Sequence, residues 1–133
     1  MKNQRVQSMM LCSVAAIALA LPAATMAQTN GTPVEFQTVV TGTHIVPEGG
    51  ALPGLHVDAK VKGQMLDIYI APMYFVKKYD VKVSKGEDAL FVGTQSGDTV
   101  LAREITTGVV SPKDGKWRPN MTIYLRNDAG PLW

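Results

Sequence analysis

Between Gly54 and Ile70, apolar and polar residues alternate in two runs. In the first, Leu55, Val57, Ala59 and Val61 interleave with His56, Asp58, Lys60 and Lys62. After Gly63, Leu66, Ile68 and Ile70 share one parity, and Asp67 and Tyr69 share the other. Period-two alternation marks strands with one buried face, and two such runs across a short glycine-containing turn make a β-hairpin. Pro72 suits the first turn of a helix, where its missing N–H is no loss. Met73, Phe75 and Val76 give that helix an apolar side, and Lys77 and Lys78 complement the dipole of its last turn. The helix is therefore expected over residues 72–79.

The remaining chain reads as further strands. Residues 34–46 are rich in β-branched and aromatic side chains. Gly42 interrupts them and marks a bulge or a bend. Residues 47–54 form a loop on composition. Residues 80–83 are a short extended piece, followed by a turn at 84–86. Strands follow over 89–94 and 99–106, joined by a turn at 95–98. Residues 108–120 are polar and broken by Pro112, Gly115 and Pro119, which predicts a loop. A last short strand is expected over 121–125. Three strands, one helix and two or three further strands predict an all-β fold with one short helix. The expected architecture is an OB-fold-like five-stranded Greek-key barrel. A parallel α/β sheet is excluded, because no helices separate the first three strands.

The N-terminus stands apart from that domain. Lys2 and Arg5 precede an apolar run over residues 9–21, too short to cross a bilayer comfortably. Pro22 breaks the run, and Ala24-Thr25-Met26-Ala27 offers small residues before a cleavage point. Residues 1–27 are read as a secretory signal peptide cut after Ala27. Leu11 before Cys12 is too large for lipoprotein processing, and the apolar run follows the cysteine. Residues 28–33 are a flexible lead-in, and 34–133 are the domain. After cleavage no transmembrane segment is expected, and the location is periplasmic or secreted. The formal net charge of +2 comes from 13 basic and 11 acidic side chains, and loss of Lys2 and Arg5 brings them into balance. A neutral domain offers no electrostatic argument for nucleic acid. The single cysteine is Cys12. The processed chain thus has no disulfide, thiol nucleophile, iron–sulfur ligand or thioether haem attachment.

The stretches GLHVDAKVKGQMLDIYIAPMYFV, VSKGEDALFVGTQ, VLAREITTG and TIYLRNDAGPLW together resemble a bacterial exported OB-fold family of largely unknown function, with relatives among magnetosome-associated proteins. The resemblance runs over residues 38–133. Its more specific motifs are the helix start at Pro72 to Phe75, Ala102-Arg103-Glu104, and Leu125-Arg126 with Gly130-Pro131-Leu132-Trp133. It implies an exported OB-fold and no established activity. The family usually carries His-Leu-Gly-Pro where this chain has Tyr69-Ile70-Ala71-Pro72. A ligand or metal contact made through that histidine is therefore not expected of Tyr69.

Candidate chemistry centres on the hairpin. A turn at Lys62-Gly63 sets His56 opposite Tyr69, Asp58 opposite Asp67 and Lys60 opposite Met65. All lie on the face away from the Val57 and Ile68 pair. Facing carboxylates are unfavourable unless something neutralises them. One reading is an exposed patch of His56, Asp58, Asp67 and Tyr69 that weakly binds a divalent cation or polar ligand. The commoner arrangement is a solvated outer face on which a lysine relieves the repulsion. His44 approaches His56 if their strands pair, and with Asp58 the two would make a weak metal site. A structural zinc site normally uses more His or Cys. Arg103 faces the core if Leu101 and Ile105 do, and faces outward if Val100 and Ala102 are buried. A structural role is expected for Arg103 and Arg126.

There is no Gly-x-Ser-x-Gly elbow and no phosphate-cradling glycine motif. The function expected is a non-catalytic, exported OB-fold module that binds an envelope protein or a small ligand, with no cofactor. The alternatives are a single-stranded nucleic-acid-binding OB domain and a metal-handling accessory subunit.

Overall fold

The computed structural model describes residues 31–133. The expected signal peptide and the start of the lead-in lie outside the described residues. Eight strands and one helix follow in order: β1 Thr32–Val46, β2 Gly54–Val61, β3 Gln64–Ala71, α1 Met73–Lys78, β4 Asp88–Ser96, β5 Thr99–Val110, β6 Trp117–Tyr124, β7 Arg126–Asn127 and β8 Gly130–Pro131. The fold is mostly β with one short helix. The main sheet has six strands in the order β3-β2-β1-β4-β5-β6, all antiparallel neighbours, and β7 and β8 form a separate two-stranded ribbon. In addition β3 pairs with β5 in parallel, Asp67 to Tyr69 against Thr99 to Leu101. No helix among the described residues is long and apolar enough to cross a membrane.

The β2–β3 hairpin has the register expected from its sequence: Val57 opposite Ile68, His56 opposite Tyr69, Asp58 opposite Asp67. Lys62 and Gly63 both have positive φ, 51° and 83°. That is the turn whose twist matches two paired strands. β1 is shared between two partners. Its first half pairs with β4 and its second half with β2. The change of partner coincides with a bulge that skips Thr41, next to Gly42. The Thr41 hydroxyl donates to the Asp58 carbonyl at 2.8 Å, which pins the bulge to β2.

Two expectations need correction, and one open choice is resolved. Thr32 and Pro33 belong to β1, not to a lead-in. The loop expected over 108–120 is largely strand, because β5 continues to Val110 and β6 begins at Trp117. Pro119 is tolerated because β6 is an edge strand, where one N–H needs no partner. Both parities proposed for β5 hold, each in part: Val100 and Ala102 are buried, and so is Ile105. A bulge leaves Arg103 without a partner between Glu104, opposite Val92, and Ala102, opposite Gly93. The extra residue exchanges the two faces. Arg103 reaches outward and pairs with Asp128 at 3.1 Å.

Val40, Val57, Leu66, Ile68, Ile70, Phe91, Val100, Ile105 and Leu125 are the largest fully buried side chains. They come from every major strand except β6, with Leu125 following it, so one core unites the sheet. α1 adds Phe75 and Val76 to it. The helix stops abruptly. The Val81 N–H donates to the Val76 carbonyl at 2.9 Å, and Asp80 takes φ 52°. This is the left-handed closing residue of a Schellman cap, a place glycine usually fills. At the other end of the hairpin Gly54, at φ 136°, lies against the Ala71 carbonyl and Pro72 Cα, where a Cβ has no room.

Truncating Phe91→Ala is expected to cost about 3–5 kcal/mol, the range for a large aromatic removed from a packed core. Asp80→Gly is expected to stabilise, by roughly 0.5–1 kcal/mol, because it relieves the left-handed conformation. Urea unfolding of the two variants against the parent measures both, and a destabilised Asp80→Gly would contradict the cap assignment.

Candidate functional site

The polar face of the hairpin becomes a site because β1 lies beside β2. The register sets His44 opposite His56 and Gly42 opposite Asp58. The two imidazoles stack, with centroids 4.9 Å apart and planes 27° apart. Each histidine has its own carboxylate. His44 Nδ1 lies 3.1 Å from Asp58 Oδ2, and His56 Nδ1 lies 2.7 Å from Asp67 Oδ1. His44, His56 and Asp67 each present a ligand atom within 4.8 Å of the others.

The expected exposed patch is exposed only in part. His56 is 2% exposed and Tyr69 5%, whereas the Asp58 and Asp67 side chains remain open at 35% and 43%. The reason is one local cover and one distant one. The loop between β1 and β2 and the end of the chain cover this part of the hairpin's outer face. His56 Nε2 donates to the Leu52 carbonyl at 2.7 Å, and the Tyr69 hydroxyl donates to the Pro53 carbonyl at 3.0 Å. Leu52 takes φ 54°, a left-handed conformation that costs a leucine free energy. Two buried side chains thus hold the loop's carbonyls in place. Trp133 meets Tyr69 edge-on at 6.3 Å and Phe75 at 5.2 Å.

Arg126 completes this wall. Its guanidinium carbon lies 4.8 Å from the Trp133 ring centroid and 5.6 Å from that of Tyr69. Burial lowers the Arg126 pKa below its ordinary value, and the neighbouring Tyr69 opposes that shift. The Tyr69 hydroxyl is pushed above the ordinary 10.0, first by burial, then by Tyr74 and Glu48, against a downward pull from Arg126. Beyond Tyr69 an open groove of about 470 Å³ is lined by Glu48, Pro53, Tyr69, Pro72, Met73, Tyr74 and Trp133.

The structure therefore brings all five sequence-predicted residues together, but not in one role. His44, His56, Asp58 and Asp67 form a cluster of imidazole and carboxylate groups. Tyr69 lies behind it, with its hydroxyl occupied by a backbone carbonyl, and its ring 5.1 Å from that of His56. Sequence reasoning did not identify the Leu52 and Pro53 carbonyls, nor the stacking of Arg126 on Trp133. The only sequence signal for the latter was the Leu125-Arg126 motif ahead of a terminal tryptophan. No family model, no curated protein and no solved structure matches the chain.

The folded state holds the Tyr69 phenolic proton more tightly than the unfolded chain does. Its stabilising contribution is complete below about pH 10 and is lost as pH rises through the folded value. In an ultraviolet titration, Tyr69 is expected to ionise above the ordinary 10.0. Tyr69→Phe should delete that step and cost about 0.5–1.5 kcal/mol at neutral pH, the net worth of one hydrogen bond. A titration unchanged by the substitution would contradict the assignment.

Proposed function

We propose that the chain is a non-catalytic, exported OB-fold module of the cell envelope that binds a small ligand at the His44–His56–Asp58–Asp67 cluster. The observation that carries this reading is the set of strand pairings. They run from β1 to β2, β3, β5, β4 and back to β1, with α1 between β3 and β4. This order is that of a five-stranded OB barrel, with β6 as an addition beside β5. The resemblance to a bacterial exported OB-fold family, with magnetosome-associated relatives, supports the same fold and the same address, as does the signal-peptide pattern of residues 1–27.

The arrangement of the histidines supports the non-catalytic part of this reading. The chain has two, each is paired with a carboxylate, and they stack on one another. Among the described residues no serine, threonine or cysteine side chain hydrogen-bonds to either, so neither is placed to activate a nucleophile. The partly open carboxylates of Asp58 and Asp67 favour a small polar or cationic ligand. Metal handling is the second reading, favoured by the three ligand atoms that converge there. Nucleic-acid binding has less support, since the processed chain carries balanced charge.

Expression of the full chain in a bacterium tests the address and the fold together. The expected product is periplasmic, begins at Gln28 and shows the β3–β5 contact by NMR. Full-length protein retained in the cytoplasm would overturn the export, and a salt-sensitive micromolar affinity for single-stranded DNA would favour the nucleic-acid reading.

A further inference from the structure

The buried imidazole of His56 carries more than a loop contact. Its Nε2 faces the Leu52 carbonyl, which can only accept, so Nε2 holds a proton. In the neutral ring this leaves a lone pair on Nδ1, and Nδ1 lies 2.7 Å from an oxygen of Asp67. A carboxylate is also an acceptor. Two acceptors at that distance require a cation between them, either a proton or a metal ion. A backbone carbonyl that fixes one ring nitrogen as the donor is also the usual support for a metal-ligating histidine.

We propose that His56 Nδ1, Asp67 and a ring nitrogen of His44 bind one divalent transition ion of the zinc class. The proposal rests on the ligand-binding reading above and names the ligand. Three ligand atoms lie within 4.8 Å of one another, and they supply the first shell once the exposed His44 and Asp67 side chains close on the ion. Asp58, 3.1 Å from His44 Nδ1, orients the second imidazole. Two nitrogens and a carboxylate oxygen, with no thiolate, suit zinc, copper(II) or nickel and not magnesium or calcium. The ion also answers the electrostatic problem of the hairpin, since Asp58 and Asp67 are direct cross-strand neighbours. Metal–nitrogen and metal–oxygen distances are roughly 2.0–2.2 Å, so tetrahedral zinc sets its donors about 3.3–3.6 Å apart and needs the 2.7 Å gap to open by roughly 0.6–0.9 Å. Asp67 is the partner free to yield, because its side chain is 43% exposed while that of His56 is 3%. The same exposure, with His44 at 44%, leaves the site open to ions from solvent.

The ligands come from three strands whose registers are independently set. β1 supplies His44, β2 supplies His56 and Asp58, and β3 supplies Asp67. The Thr41 bulge lies just before the segment of β1 that sets His44 opposite His56. The strand registers fix the backbone positions of the donors, and the exposed side chains of His44 and Asp67 make the final adjustment.

The test is calorimetric titration of the purified chain, free of any histidine tag and stripped with a chelator, using zinc chloride alone. One ion per chain is expected, with a rise in Tm, and magnesium should give no heat. His44→Ala and Asp67→Asn alter exposed or half-exposed side chains, and both variants should fold. Each is expected to weaken zinc at least tenfold. Asp58→Asn is expected to weaken it by roughly 10- to 100-fold, as for a residue that orients a ligand. Folding of each variant is checked by circular dichroism, so lost heat in a folded variant reports the site. No heat from the parent, or equal heats from parent and His44→Ala, would overturn the ion site and leave only a proton between His56 and Asp67. Either result with the chain still recovered from the periplasm would leave the exported module standing. Zinc bound by a chain that stays in the cytoplasm would do the reverse.

Discussion

The polar cluster depends on two residues that are not part of it. Lys62 and Gly63 turn the chain with positive φ at both positions, and the strands on either side take the register which that turn dictates. Because side chains alternate with a period of two, a slip of one residue would turn Val57 and Ile68 to the outer face and His56 and Tyr69 to the core. The core and the polar cluster are thus two faces of one decision. The fully buried aliphatic side chains of β2 and β3 hold the register against a slip, and they do so with a free energy that the polar face could not supply itself.

The cluster is then shaped by what covers it. Near Gly54 and Ala71 the hairpin is buried on both faces, and toward Lys60 and Met65 its outer face opens. His56 therefore has a dry environment and Asp67 a wet one, although they are in contact. A left-handed Leu52 presents its carbonyl to the ring. Hydrogen bonds from His56 and Tyr69 offset the cost of that conformation. A loop rich in glycine and proline would otherwise have little reason to remain in one place.

The hairpin was legible in the sequence because its alternation, its turn and its register are all local. The helix start at Pro72 and the break near Gly42 were legible for the same reason. The burial of His56 and Tyr69 was not, since it comes from the fold of the loop before β2, where composition alone does not say which carbonyls turn inward, and from Trp133, far along the chain. Arg103 shows a second kind of limit. Each parity read along β5 was correct for part of the strand, and one bulged residue joined the two. β6 shows a third, because a proline such as Pro119 fits an edge strand as readily as a loop.

The division of β1 between two partners also constrains the order in which the fold can be assembled. The half of β1 that pairs with β2 finds its partner soon after it is made, whereas the half from Thr32 to Val39 must wait for β4. A chain emerging from its N-terminus can complete the β1–β2–β3 meander while the first half of β1 still presents unpaired backbone. That segment is a free strand edge for the interval, open to any other chain that meets it. It carries Val34, Phe36 and Val39 through that interval. Kinetic competition, rather than final stability, then governs how much of the protein reaches the folded state.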